Sequence, residues 1–135
     1  MKNVDEPGRT PYKQQMFFFQ NASHCDTNQC TIAFPPVPAG VRLVVTYFCI
    51  GTRVLSPQAY VYGSLIDVDQ YQNHVPTLNM PAVAIGGNYY LASGPVTFFY
   101  EPGSTPIVMM SGSVMDSLSN VGANASIIGY LVALP

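Results

Sequence analysis

One stretch of this chain, NASHCDTNQCTIAF, sets His24, Cys25, Asp26 and Cys30 within seven positions. Residues of these types can ligate a metal, exchange thiols or close a disulfide. A structural zinc site normally draws four Cys or His ligands from two close pairs. Here the spacings do not match that pattern, and the fourth ligand would have to be Cys49, Asp26 or the distant His74. A redox C-x-x-C is absent, because four residues separate Cys25 from Cys30. The reading that remains is a short Cys25–Cys30 disulfide across the turn-forming DTNQ, with free thiols or a metal site as the alternatives. Closing so small a ring stabilises a fold by about 2 kcal/mol in the chain-entropy estimate. Cys49, between Phe48 and Ile50, reads as a buried, inert thiol. The alternative for it is an intermolecular bridge.

Other groups offer little chemistry. Asp67 and Asp69 flank Val68, so on a strand both carboxylates share one side. Such a pair could bind Ca²⁺ or serve acid–base work, but the calcium-loop pattern breaks at Tyr71 and Gln72. Solvent-facing acids at a strand end are the plainer reading. His74 has no partner at a recognisable spacing, and no G-x-S-x-G, H-E-x-x-H, H-x-H or Walker pattern occurs. The expectation is a protein that is not an enzyme and has no cofactor and no metal. Asn21-Ala22-Ser23 and Asn124-Ala125-Ser126 match the glycosylation acceptor pattern, which chance readily supplies in so Asn- and Ser-rich a chain; if the source glycosylates, these would be acceptor loops.

Length and composition narrow the partners. The 135 residues suit one domain with a real core. Charged residues are only 9%, against roughly 25% in an ordinary soluble domain. With a net charge of −2 and five scattered cations, the chain lacks the basic patch a nucleic acid needs. No apolar run approaches the roughly 20 residues that span a bilayer. Met1-Lys2-Asn3 runs into the polar Val4 to Gly8 without an apolar leader, which fits a cytoplasmic protein or a mature form carrying a start Met. A Cys25–Cys30 disulfide would favour an oxidising place, so the expected localisation is secreted, periplasmic or cell surface.

What must position these groups is a set of strands. VRLVVTYFCI is rich in β-branched and aromatic residues, and similar short runs fill the chain from YKQQMFFFQ to ASIIGYLVAL, PTLNMPAVAI as one and NYYLAS and PVTFFYE as two among them. Glu101-Pro102-Gly103-Ser104 has the order of a type II turn, and Gly86-Gly87 suits a tight hairpin. No apolar spacing of 3.6 persists over three turns. The expected fold is all-β: a two-sheet antiparallel β-sandwich, jelly-roll-like, with eight or nine strands in one domain over 1–135 and an extended N-terminal arm over 1–11. An immunoglobulin-like sandwich fits less well, since the chain has no Trp. Pro35, Pro36 and Pro38 should hold an extended segment that crosses between sheets, although they also match P-x-x-P. EPGRTP at Glu6 recurs as EPGSTP at Glu101, but the residues that follow share no pattern, so one turn chemistry is used twice.

A half-exposed strand alternates apolar and polar residues. In SIIGYLVAL both faces are apolar: Ile127, Gly129, Leu131 and Ala133 on one, Ile128, Tyr130, Val132 and Leu134 on the other. The aromatic runs at 17–19 and 98–100 likewise leave a ring on the nominal outer face. Either loops of the same chain or a subunit interface must cover this surplus. The expected partner is therefore the chain itself, as a homo-oligomer with a trimer as first choice and Ile128, Tyr130, Val132 and Leu134 as candidate interface residues. The expected function is a non-catalytic, exported structural or partner-binding module. The alternative is a carbohydrate-binding lectin, in which Tyr60, Tyr62, Tyr71, Tyr89 or Tyr90 stacks on sugar faces of glycans or another surface protein.

The order of NVDEPGRTPY, the paired cysteines, FPPVPAGVRLVVT, SGPVTFFYEPGSTP and terminal GYLVALP resembles small exported bacterial β-sandwich proteins of uncharacterised function. The last strand, Gly129 to Pro135, is also similar to the closing strand of the complement C1q and tumour necrosis factor families. The second likeness implies a trimeric jelly roll with a binding role.

Overall fold

A computed structural model describes residues 9–18, 29–53, 60–68, 74–86, 89–112 and 123–135. These residues form nine β-strands and, among them, no helix. In chain order they are β1 (Arg9–Phe18), β2 (Gln29–Ala33), β3 (Val41–Arg53), β4 (Val61–Val68), β5 (His74–Pro81), β6 (Val83–Gly86), β7 (Tyr89–Tyr100), β8 (Ile107–Gly112) and β9 (Ala123–Ala133). Arg9, Thr10 and Pro11, the end of the expected arm, pair with Val132, Leu131 and Tyr130 and so belong to the sheet.

Every pairing is antiparallel. One sheet has the order β1-β9-β3-β7-β6 and the other β2-β8-β4-β5. First strand pairs with last, second with next to last, and so inward to β4 and β5, if β6 is set aside. That is a long hairpin rolled into two sheets, the jelly-roll topology the strand count suggested. Segment 34–38, with its prolines, does cross between the sheets, from β2 to β3. The backbone of Phe34 donates to Pro106 and that of Val37 to Ser104.

The strand divisions depart from expectation in two places, each at a proline. PTLNMPAVAI divides after Pro81: β5 stays in the four-stranded sheet, Ala82 donates its N–H to Val61, and β6 joins the other sheet. Conversely, NYYLAS and PVTFFYE are one strand, β7, carried through Pro95. A proline cannot donate to a ladder, so it is tolerated inside a strand at an irregularity. The β3–β7 register shifts there, between Val45 and Tyr47. Val96 and Thr97 of β7 oppose Thr46 there, whereas against β9 it is Thr46 that is extra, and its hydroxyl donates to the Ile128 carbonyl at 3.2 Å. The turn at 101–104 forms as its sequence asks: Ser104 N donates to the Glu101 carbonyl at 3.1 Å and Gly103 has φ +84°.

The core lies between the sheets. Leu43, Val45, Phe48, Ile50, Ala92, Ala125 and Ile127 face Cys30, Leu65, Val108 and Met110, all fully buried. A methyl at Gly63 would press on Ala92 and Ile50, so this glycine sets how closely the sheets approach at the centre. Tyr100 is buried among these apolar groups, its hydroxyl donating to the Ile66 carbonyl at 2.9 Å. Ile66, Ile107 and Met109, on the outward side of the four-stranded sheet, form a second buried cluster. The chain therefore shelters this part of the outer face itself, while Tyr60 and Tyr62 on the same side stay exposed.

Candidate functional site

The five-stranded sheet shows the opposite behaviour. Register places Lys13, Ile128, Tyr47 and Pro95 in one outward row, and Pro11, Tyr130, Val44 and Phe99 in the next. Further along the same face lie Phe17, Asn124, Gly51 and Leu91, with Val83 beside Leu91 on β6. Five of the nine large apolar side chains exposed among the described residues belong here: Phe17 at 67%, Val83 at 62%, Phe99 at 52%, and Tyr47 and Ile128 at 38% each.

Of the expected interface residues, Ile128 is exposed on this face, Tyr130 and Val132 are half-buried on it, and Leu134 lies half-buried just past the end of β9. What spacing did not reveal is the aromatic and cationic roof at one end. The Arg9 guanidinium carbon sits 4.2 Å from the centre of the Tyr130 ring, and Arg42 lies 5.9 Å from that of Phe99. Arg42 Nε also donates to Glu101 Oε2 at 2.9 Å. Beneath these rings Val44 is 5% exposed although it points outward. Arg9 and Tyr130 are 121 positions apart, so only the β1–β9 pairing brings them together.

At the other end Tyr89 lies flat over Gly51, where any side chain would collide with its ring and hydroxyl. Asn124 Nδ2 donates to that hydroxyl at 2.8 Å. Asn124 is thus half-buried within β9 and engaged, so this acceptor pattern does not sit in an exposed loop as expected. The other, at Asn21, lies outside the described residues.

The five candidate tyrosines do not form one site. Tyr60 and Tyr62 meet on the outer side of the four-stranded sheet, with ring centroids 6.3 Å apart and a 36° tilt. Tyr89 is across the molecule in the other sheet, Tyr90 packs against the core, and Tyr71 lies outside the described residues. Beside Tyr62, the buried Ser64 donates its hydroxyl to Asn79 Oδ1 at 2.5 Å.

Cys49 is a free, half-buried cysteine on the outer face, not the fully buried thiol expected, and burial raises its pKa. Cys30 is wholly buried on the inner face. Its expected partner Cys25 lies outside the described residues, as do His24 and Asp26. Asp67 Oδ1 is buried without a hydrogen-bond partner, and burial first, with the Asp67 charge second, holds the Tyr100 phenol well above its usual range. Asp69 lies outside the described residues. No three His, Cys, Asp or Glu side chains converge among the described residues. What the surface of the described residues offers is apolar contact and aromatic stacking.

No protein-family model and no curated protein matches this chain. Among solved structures it is similar to an aminopeptidase from a marine sediment Thaumarchaeota archaeon, with TM-score 0.42 and 11% identity over 86% of this chain. It spans only 27% of that aminopeptidase chain. An acidic stable capsid structure of a Helicobacter pylori bacteriophage aligns over 93% of both chains at TM-score 0.36 and 12% identity. Disulfide-linked pili that form Bacillus endospore appendages align over all of this chain and 96% of theirs, at TM-score 0.35 and 8% identity. Likenesses of this size carry no argument about what this chain does.

Proposed function

We propose that this chain is a non-catalytic, exported structural module that assembles with copies of itself through the outer face of its five-stranded sheet. The observation that carries the reading is the gathering of Phe17, Tyr47, Val83, Phe99 and Ile128 on that one face. Isolated apolar residues on a surface are ordinary, whereas several large ones sharing one sheet face, even with Gln15, Ser126, Cys49 and Ser93 in a row between them, favour a contact. Four strands of about ten residues span about 650 Å² in plan. A standard interface uses about 800 Å² of accessible surface per partner. Two such faces together give about 1,300 Å², at the low end of the range of about 1,200–2,000 Å² for a specific interface.

Its composition also suits a like partner. Two copies meeting face to face bury rings and aliphatic chains, while Arg9, Arg42 and Glu101 stay near one end, where they can remain hydrated. A single flat patch closes most simply about a two-fold axis. A trimer, the first expectation, would instead set each patch against a different surface of its neighbour. Export accords with the 9% content of charged residues and with the proposed Cys25–Cys30 clasp.

Cys49 lies in the middle of the face, in register with Ser126 and Ser93, and reports on the contact directly. Its reaction with a thiol reagent should be slow in concentrated protein and accelerate on dilution as copies separate. A rate independent of protein concentration would contradict assembly through this face, since intrinsic burial does not change on dilution.

A further inference from the structure

We infer that Tyr60, Tyr62 and Asn79 form a binding site for gluco-configured oligosaccharides on the outer side of the four-stranded sheet. Tyr60 and Tyr62 are 53% and 37% exposed, although most of β4 between and beyond them is buried. Alternation along the strand turns Val61 into the core and both tyrosines outward. The ring centres are 6.3 Å apart and both rings are exposed, so the pair offers aromatic surface wide enough for more than one sugar ring. The 36° tilt makes the platform slightly curved. Two successive sugar rings turned relative to each other match that shape better than one flat ring.

A pyranose whose hydroxyls are all equatorial exposes an apolar C–H face to such rings and leaves its hydroxyls at the rim. The rim group here is Asn79. Tyr62 pairs with Pro81 and Ser64 with Asn79, so Asn79 is the diagonal neighbour of Tyr62 at about 7–8 Å. Ser64 is fully buried, and its hydroxyl takes up Asn79 Oδ1, which leaves the Nδ2 donors facing outward from an exposed side chain. A fixed amide beside an aromatic platform supplies orientation where stacking supplies contact. No ionic group is needed, in keeping with a chain that is 9% charged.

The site is on the sheet opposite the proposed assembly face, so either can fail alone. The test is calorimetric titration of the full chain with maltotetraose, cellotetraose and chitotetraose, with a proline-rich decapeptide as control. At least one sugar should bind at millimolar affinity or tighter. Tyr60→Ala and Tyr62→Ala should each weaken it about tenfold, while Tyr62→Phe keeps the ring and most of the affinity. Asn79→Ala should weaken binding as well, and Ile128→Asp should leave it unchanged. All three positions are exposed, and unchanged thermal midpoints will confirm that the variants fold. No binding of any sugar, equal binding in both Tyr→Ala variants, or Tyr60-dependent binding of the peptide alone would overturn the proposal. So would a fall in native mass on Tyr60→Ala, which would make the pair a subunit contact.

Discussion

Single residues carry much of the geometry. At Gly129 an added Cβ would strike the Val44 carbonyl beside the β3 irregularity, a backbone atom that no rotamer change can move. Gly129→Ala should therefore cost about 3 kcal/mol or more in chemical unfolding. Gly51→Ala meets only the far end of Tyr89 and should cost nearer about 1 kcal/mol, chiefly through the lost Asn124 hydrogen bond. Tyr100→Phe leaves the Ile66 carbonyl without its donor and should cost about 1–2 kcal/mol. This phenol also sets a pH dependence. Burial first, and then the Asp67 charge, raise its pKa above the unfolded value of about 10. The native state thus holds that proton more tightly than the unfolded chain does. Its contribution is complete below about pH 10 and is lost as pH rises beyond that. Unfolding measured from pH 8 upward should show this alkaline loss in the wild type and a shallower one in Tyr100→Phe. Equal slopes would contradict the assignment.

At the level of elements, what the sequence discloses depends on whether the deciding contact is local. The turn at 101–104 was legible because Pro102 and Gly103 fix its dihedrals themselves. The crossing at Pro35, Pro36 and Pro38 was legible because proline removes ladder donors wherever it stands. Pro95 carried the same local signal with the opposite outcome. A break was expected there, but β3 pairs with β7 on both sides of Pro95 and the proline is absorbed in a register shift. The apolar outer side of β9 was legible in Ile128, Tyr130 and Val132. The Arg9–Tyr130 and Arg42–Phe99 contacts were not, since they depend on which strands become neighbours. Likewise, the tyrosines could be named but not grouped, because alternation assigns a side within a strand and topology assigns the sheet. Sheet edges bear on assembly as well. β2 has five residues, β6 four, and β5 carries Pro76 and Pro81, so three of four edges are short or blunted against strand addition. Contact through a face is left as the readier mode.

The whole molecule has two sheets with unequal outer sides. One buries Ile66, Ile107 and Met109 within the chain, and the other leaves Tyr47, Phe99 and Ile128 in water. That asymmetry is the physical basis for self-association, because the aliphatic surplus is sheltered on one side, where of the large apolar side chains described only Tyr60 and Tyr62 are exposed, and open on the other. Light scattering after size separation, across a dilution series, reads the consequence directly. The wild type should have a mass that is a multiple of 14.6 kDa and decreases on dilution. Ile128→Asp, which sets a charge in the centre of the face, should give 14.6 kDa throughout with little change in thermal midpoint. A wild type that remains a 14.6 kDa monomer at every concentration, or an Ile128→Asp variant that assembles as the wild type does, would contradict the account.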